Sequence, residues 1–455
     1  MALTLLLYKL SYISGYIMDH TYLHDRDFLW RNQNNYDVVN IGFGPAGIAL
    51  ACVQEDAKEC NASYKDIKML HLEKAADTVW HGELLLTGTD INHSVFRDLV
   101  TPRNPRSRFS FAMYLKEKNR MFDFGLLGRP ASRHEWSDYI RWVSSQVDDH
   151  TLFSTPAKEI QPIVKGDELH GFRVVTEHDV YTTKNIVLSS GSQPNIPDQF
   201  LPFLGERVFH TSQFLSRLKY FGGTLPARWL VLGSGQSASE SVIELLKRRD
   251  DITLYSVHRS SGFRLTQLGQ FPNRVFSPEH VDYFHRLDNA SRRQFLEWSK
   301  ATNYAGIDPD ESQMLFSFVY EDRICGRERL HIKPWCEIVD VSQSENGYQI
   351  TLADIFSGEE EIVEVDVIVL ATGYQQPRIP ALLTQLQPWL VQDQDGGLLI
   401  DRDYRVALRE TKGVSIYVNG LSERSHGISD SQSFSLMALR AERIMNALPV
   451  SGEDN

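Results

Sequence analysis

Two glycine-rich turns carry the chemistry most legible in this chain. The first, Gly42-Phe43-Gly44-Pro45-Ala46-Gly47, follows the run Tyr36-Asp37-Val38-Val39-Asn40-Ile41. The second, Gly233-Ser234-Gly235-Gln236-Ser237-Ala238, follows Trp229-Leu230-Val231-Leu232. Glycines at this spacing let a strand turn sharply into a helix. Backbone N–H groups can then approach a pyrophosphate, which sits at the positive helix end. A lone match says little; a buried-strand pattern before it and an unbroken helical stretch after it make it informative. Two such units imply two dinucleotides, one held and one exchanged. That arrangement serves to pass hydride from a nicotinamide to a flavin.

The elements that must position these turns can be read on either side of them. Ile67-Lys68-Met69-Leu70-His71-Leu72 reads as the second strand of the first unit and ends at Glu73, where an acid meets adenosine ribose hydroxyls. In the second unit, Ile252-Thr253-Leu254-Tyr255-Ser256-Val257 is followed by His258-Arg259. An arginine there can hold a 2′-phosphate, which favours NADPH over NADH. Residues 80–145 are rich in Arg, Pro and aromatics and read as inserted loops and helices, and 150–190 shows strand-like alternation. Residues 265–325 read as helical, and strand signals return from Val339 to Val369, before Ala371-Thr372-Gly373-Tyr374. The predicted class is α/β, with two Rossmann-like dinucleotide-binding domains, for FAD and NADPH, and a small helical substrate-binding region. The expected boundaries are an N-terminal extension over 1–35 and a first FAD-binding part over 36–215. An NADPH domain follows over 226–372 with its helical insert at 265–325, then a second FAD and substrate part over 373–446 and a tail over 447–455.

Bulk composition excludes several classes. The 455 residues suffice for two or three domains, and 42% apolar with 23% charged residues is a globular balance. A net charge of −12 offers no basic face for nucleic acid. The four cysteines form no Cys-x-x-Cys pair, which argues against a dithiol flavin reductase and fits a cytoplasmic location. Ala2 to Ile17 is apolar but is interrupted by Lys9 and is too short to span a bilayer. It shows no small-residue cleavage site. Residues 1–35 are therefore expected to be peripheral, with Met18 as an alternative start and no stable membrane insertion. His81, His93 and His426 are dispersed, so no metal centre is expected.

From Tyr36 to Met445 the chain resembles the flavin-dependent N-hydroxylating monooxygenases, the ornithine and lysine N-hydroxylases of siderophore biosynthesis. The resemblance rests on an ordered set of segments: Trp80-His81-Gly82, Phe96-Arg97-Asp98-Leu99-Val100, Arg103-Asn104-Pro105-Arg106-Ser107 and Tyr139-Ile140-Arg141-Trp142. It continues through the second glycine turn, Thr302-Asn303-Tyr304, Ala371-Thr372-Gly373-Tyr374, Arg402-Asp403-Tyr404-Arg405 and His426-Gly427-Ile428-Ser429-Asp430. It implies an enzyme in which NADPH reduces FAD, oxygen adds to give a C4a-hydroperoxyflavin, and a neutral primary amine takes the distal oxygen. It further implies cofactor contacts from Gly42, Gly44, Pro45, Gly47, Glu73, Trp80, His81, Asn92 and Arg103. On the NADPH side and at the seam it implies Gly233, Gly235, Gln236, Ser237, Arg259, Thr372, Gly373, Tyr374 and Ser429.

The same resemblance places a substrate site. A lysine that grips the substrate carboxylate in the ornithine enzymes corresponds to Arg97, whose planar fork also suits a carboxylate. Two substrate-contacting asparagines fall on Asn273 and Asn303, and a glutamine near the flavin falls on Asn92; Asn303 and Asn92 are the candidate catalytic residues. Ser429 is a further candidate substrate contact. In Gln267-Leu268-Gly269-Gln270-Phe271-Pro272-Asn273-Arg274 two acids of the family are missing and Arg274 replaces a third. That swap favours a second carboxylate, hence L-aspartate on the way to a nitro-type natural product, with L-ornithine or L-lysine for a siderophore as the alternative. Arg274 also reads as a solvent or cofactor-phosphate contact. Ser431-Gln432-Ser433-Phe434-Ser435 departs from a leucine-rich version in the ornithine enzymes. A second class, the Baeyer–Villiger and sulfur-oxidising flavin monooxygenases, is represented only by Phe203-Leu204-Gly205 with His210 one residue too far on. Expected partners are the amino acid and oxygen, and a homo-oligomer is left open.

Overall fold

Short, mostly apolar runs such as Val38–Val39 and Met69–Leu72 are buried on both faces, as parallel strands covered by helices must be. The computed structural model describes residues 34–60, 62–302, 305–430 and 433–449. The expected extension over 1–35 falls almost wholly outside the described residues, as do Asn303 and the end of the tail. Tyr36–Asn455 forms one compact unit built on two large sheets.

The first sheet runs Thr151–Leu152, Met69–Leu72, Asn35–Ile41, Val180–Leu188, Glu168–Val175, Glu159–Lys165, and Ser415–Val418 pairs with Val180–Leu188. The strands around the first glycine turn are parallel, with Val38 opposite Met69 and Ile41 opposite Leu72. Ser415–Val418 joins in parallel from more than two hundred residues further on, Ser415 opposite Asn185. The helix Pro45–Cys60 covers this sheet, and Met437–Ala447 packs on that helix. Proline is suited to the first position of Pro45–Cys60, since no helical acceptor awaits its missing N–H.

The second sheet is wholly parallel: Leu330–Lys333, Thr253–Val257, Arg228–Leu232, Val367–Leu370, Val208–His210. Val208–His210 corrects the expected boundary at 215. This three-residue strand belongs to the second sheet, too short to show a period, and is recruited by Val367–Leu370. The helices Pro278–His285, Asn289–Ser299 and Pro309–Ile324 lie between the strands Thr253–Val257 and Leu330–Lys333. Cys336–Ser344, Gly347–Asp354 and Glu360–Val365 form an antiparallel three-stranded sheet. The two crossings between the large sheets are tied together, Gln193–Pro194 pairing with Tyr374–Gln375. Among the described residues no helix is long and apolar enough to cross a membrane.

Candidate functional site

The first glycine turn leaves the end of Asn35–Ile41. Gly42 has φ +106°, and a Cβ there would lie 2.4 Å from Ser189 O; one on Gly47 would lie 2.3 Å from Gly42 O. Gly44 differs, because its Cβ would meet nothing within 4 Å. The outer two glycines thus allow the chain to pack on itself, while the middle one fronts open space. Asn40 Nδ2 donates to Gly42 O at 2.8 Å, and Asn419 Nδ2 to Ala46 O at 3.0 Å. Glu73 stands at the end of the second strand as expected. Its Oε2 accepts from Phe43 N at 2.6 Å and its Oε1 from Ala75 N at 2.8 Å, so this acid shapes the glycine turn itself.

An aromatic wall forms around Trp80 and Phe434. Trp80 and His81 lie 4.3 Å apart between ring centroids, Trp80 and Phe434 5.5 Å, and His93 and Phe434 5.4 Å. His81 sits at φ +53°, unusual for a residue with a side chain. Burial of its imidazole pushes the pKa down to about 4, with Arg133 adding to the effect, although the residue as a whole is exposed. Burial likewise holds His93 at about 4, and its Nε2 is sealed without a hydrogen-bond partner. Asn92 is exposed beside it.

The second glycine turn is less enclosed. Gly233 has φ +137° and a Cβ there would lie 2.3 Å from Ala371 O, while Gly235 caps the helix Gln236–Arg248. Ser237 is half-buried, its carbonyl accepting from Ser241 Oγ at 2.7 Å. Arg259 is exposed and makes no hydrogen bond or ion pair among the described residues. Its neighbour His258 is buried against Ser256 Oγ at 2.7 Å and pushed down to about 4 by burial, so the positive charge at this strand end belongs to Arg259. Ser260 Oγ donates to Ser234 Oγ at 3.4 Å and completes a polar rim that the spacing argument missed.

A polar cluster forms around Arg97. Arg97 is half-buried, its Nη1 donating to Ser435 Oγ at 3.1 Å and its guanidinium 5.9 Å from the Phe276 ring; burial lowers its pKa. Asn273 lies on the same short turn as Phe276, Pro272–Phe276, and its Nδ2 donates to Gln267 O at 2.9 Å and Gly269 O at 3.0 Å. That turn packs on Ile428–Asp430, where Ser429 is fully buried with its Oγ unpartnered. Arg274 is exposed. Phe276 and Ser435 flank the Arg97 guanidinium, and no local pattern marked the first of them.

Four expected cofactor contacts are committed within the protein. Arg103 turns inward to a buried ion pair with Asp56 of Pro45–Cys60, which Ser107 Oγ also reaches at 3.1 Å. A guanidinium and an acid both sealed from water must pair. Gln236 spends its amide on Glu240 Oε1 at 3.0 Å and on Asp308 N at 2.9 Å. Thr372 Oγ1 bonds Asn195 O, and Gly373 O accepts from His210 Nε2 at 2.9 Å, so both brace the crossing between the sheets. Tyr374 follows them, half exposed, with its ring 5.1 Å from His210.

The model of the L-lysine 6-monooxygenase/L-ornithine 5-monooxygenase family matches residues 34–376. The chain belongs to that family. It is similar to an L-lysine 6-monooxygenase of Pseudomonas syringae, at 64% identity and a TM-score of 0.85, covering 91% of this chain and 99% of that one. An L-ornithine N(5)-monooxygenase of Pseudomonas aeruginosa is 31% identical over 91% of this chain and 93% of its own length. An ornithine N-hydroxylase of Kutzneria, solved with reduced FAD, NADP+ and L-ornithine, is 30% identical with a TM-score of 0.84, covering 91% of this chain and 99% of that one. As a member of the family, this chain is a flavin-dependent N-hydroxylating monooxygenase that works with FAD and NADPH. The residues present suit both groups: an open Gly44 turn with an acid behind it and a neutral aromatic wall, and an uncommitted Arg259 beside a second glycine turn. When bound, FAD supplies oxygen activation and NADPH the hydride; the protein supplies position and dryness.

Proposed function

We propose that the enzyme hydroxylates the terminal primary amine of a basic amino acid, L-ornithine or L-lysine, with Arg97 holding the carboxylate. The observation that carries this reading is the half-buried Arg97, poised by Ser435 and Phe276, the latter on the turn that packs against the segment holding the buried, unpartnered Ser429 hydroxyl. Asn273, Asn303 and Ser429 orient the amino acid, and Asn92 approaches the flavin edge. Gly42, Gly44, Pro45, Gly47, Glu73, Trp80 and His81 hold FAD. Gly233, Gly235, Ser237 and Arg259 hold NADPH. His81 and His93, neutral at pH 7, keep the flavin wall uncharged. A cytoplasmic location suits the supply of NADPH, and Cys52, Cys325 and Cys336 are free thiols.

Aspartate is the second reading and rests on the acids missing from Gln267 to Arg274. It is weakened by Arg274, which is exposed and contributes to lowering the pKa of Glu279, after that residue's own backbone N–H and the Ser277 hydroxyl. The relatives named above also support the basic amino acids. The test is hydroxylamine formation and NADPH consumption with ornithine, lysine and aspartate. Product from ornithine or lysine, with aspartate inert, is expected; product from aspartate alone would reverse the order. Arg97→Ala should cost about 1.5–3 kcal/mol of substrate binding, as for a hydrogen bond to a charged group, read as a higher KM.

A further inference from the structure

Three parts of the chain meet at one buried ion pair. Arg133 opens the helix Arg133–Ser144 of the first nucleotide unit, behind the cap Ser132, which accepts from Glu135 N at 3.2 Å. Its guanidinium forks onto Glu240, Nη1 to Oε2 and Nη2 to Oε1, both at 2.6 Å. Glu240 lies one turn into Gln236–Arg248, the helix that carries the second glycine turn. The two side chains are 11% and 1% exposed. Gln236 forms the second arm, donating to Glu240 Oε1 at 3.0 Å and accepting from Asp308 N at 2.9 Å. Asp308 stands at the start of Pro309–Ile324, in the helical insert. Arg133 is itself held from behind, its Nε donating to Asp90 O at 3.3 Å.

A forked guanidinium–carboxylate pair fixes orientation as well as distance. Burying it adds little to stability over apolar residues of the same volume, so its use at this seam lies in geometry. Any rotation of the second glycine turn about the first breaks two short hydrogen bonds and leaves a carboxylate sealed from water. Hydride transfer needs its two partners held near contact, and a shift of about 1 Å can cost a hundredfold in rate. We infer that Arg133 and Glu240, with Gln236, are the positioning residues that set the NADPH-bearing helix against the FAD unit. The inference rests on the reading of the second glycine turn as the NADPH site.

The test is anaerobic flavin reduction by NADPH in the FAD-loaded full chain, followed by stopped flow against NADPH concentration. Wild type, Glu240→Gln, Arg133→Lys and Arg259→Gln are compared, each rate taken per bound FAD. In Glu240→Gln the limiting rate should fall by about tenfold or more, while the apparent Kd for NADPH changes by less than about threefold. Arg133→Lys keeps the charge and loses the fork, so it should fall between the two; it also serves if Glu240→Gln fails to fold. An unchanged limiting rate in these variants, even with a lowered Tm, would overturn the inference and leave the pair a structural contact. An unchanged Kd in Arg259→Gln would instead overturn the NADPH reading beneath it.

Discussion

In the first glycine turn three side chains hold the backbone. Asn40 reaches Gly42 O, Glu73 reaches Phe43 N, and Asn419 reaches Ala46 O, each from a different strand end of one sheet. In the second turn Gly233 N bonds Val257 O at 3.1 Å, Ser234 meets Ser260, and Arg259 stands exposed without a partner. Two turns of similar glycine spacing thus have different surroundings, one braced by three side chains around an open middle glycine and one beside an uncommitted cation. The braced turn suits a dinucleotide that stays, and the other suits a dinucleotide that comes and goes.

The largest effect that tests this contrast lies in the first turn. Gly42→Ala forces a Cβ to 2.4 Å from Ser189 O at φ +106°, which should cost ~3 kcal/mol or more and yield unstable, FAD-free protein on thermal unfolding and absorbance. Gly44→Ala is the sharper probe, since its Cβ would meet no protein atom within 4 Å. It should keep the wild-type Tm without ligand and lose FAD affinity; retention of FAD would break the assignment of the open face.

Arg259→Gln comes next. It should raise KM for NADPH by roughly tenfold, about 1.4 kcal/mol, and narrow the preference over NADH, with FAD content unchanged. Loss of FAD in this variant would show that the two turns are less independent than their surroundings imply.

The smallest effect is a pH dependence under the second turn. Burial, then the hydrogen bond with Asp310, pushes Glu311 up to about 8, and burial, then Asp310, pushes Asp308 up to about 6. Both therefore keep protons in the folded protein that the unfolded chain has released. The contribution of each to stability is present at low pH. That of Asp308 is lost as pH rises from 3.8 to about 6, and that of Glu311 as pH rises from the ordinary glutamate value of 4.5 to about 8. Glu311→Gln should flatten the fall of Tm across that window by about 2 °C. An equal slope in both proteins would place the proton elsewhere.

The two glycine turns, Glu73 at one strand end and Arg259 at the other were legible in the sequence. Each is decided within one strand–turn–helix unit, where neighbours along the chain are neighbours in space. The α/β class and the helical insert followed from the same local periodicities. The cluster around Arg97 was legible only through the resemblance that singled out Arg97, Asn273 and Ser429. Ser435, which holds Arg97 from 338 positions away, carried no signal as a partner.

What the tertiary structure alone decided is where the polar groups point once they are shut away from water. Arg103 could have faced a phosphate; it faces Asp56 because both are sealed in the same interior and an unpaired charge there is costly. Gln236 could have faced a dinucleotide; it joins Glu240 to Asp308. Val208–His210 took its place in the second sheet because an open edge of Val367–Leu370 lay beside it. Sequence spacing determined the two cradles, because backbone sterics and apolar period act over a few residues. Packing determined how the cradles meet, because Arg133 and Glu240 stand 107 positions apart and only the folded chain brings them within a hydrogen bond.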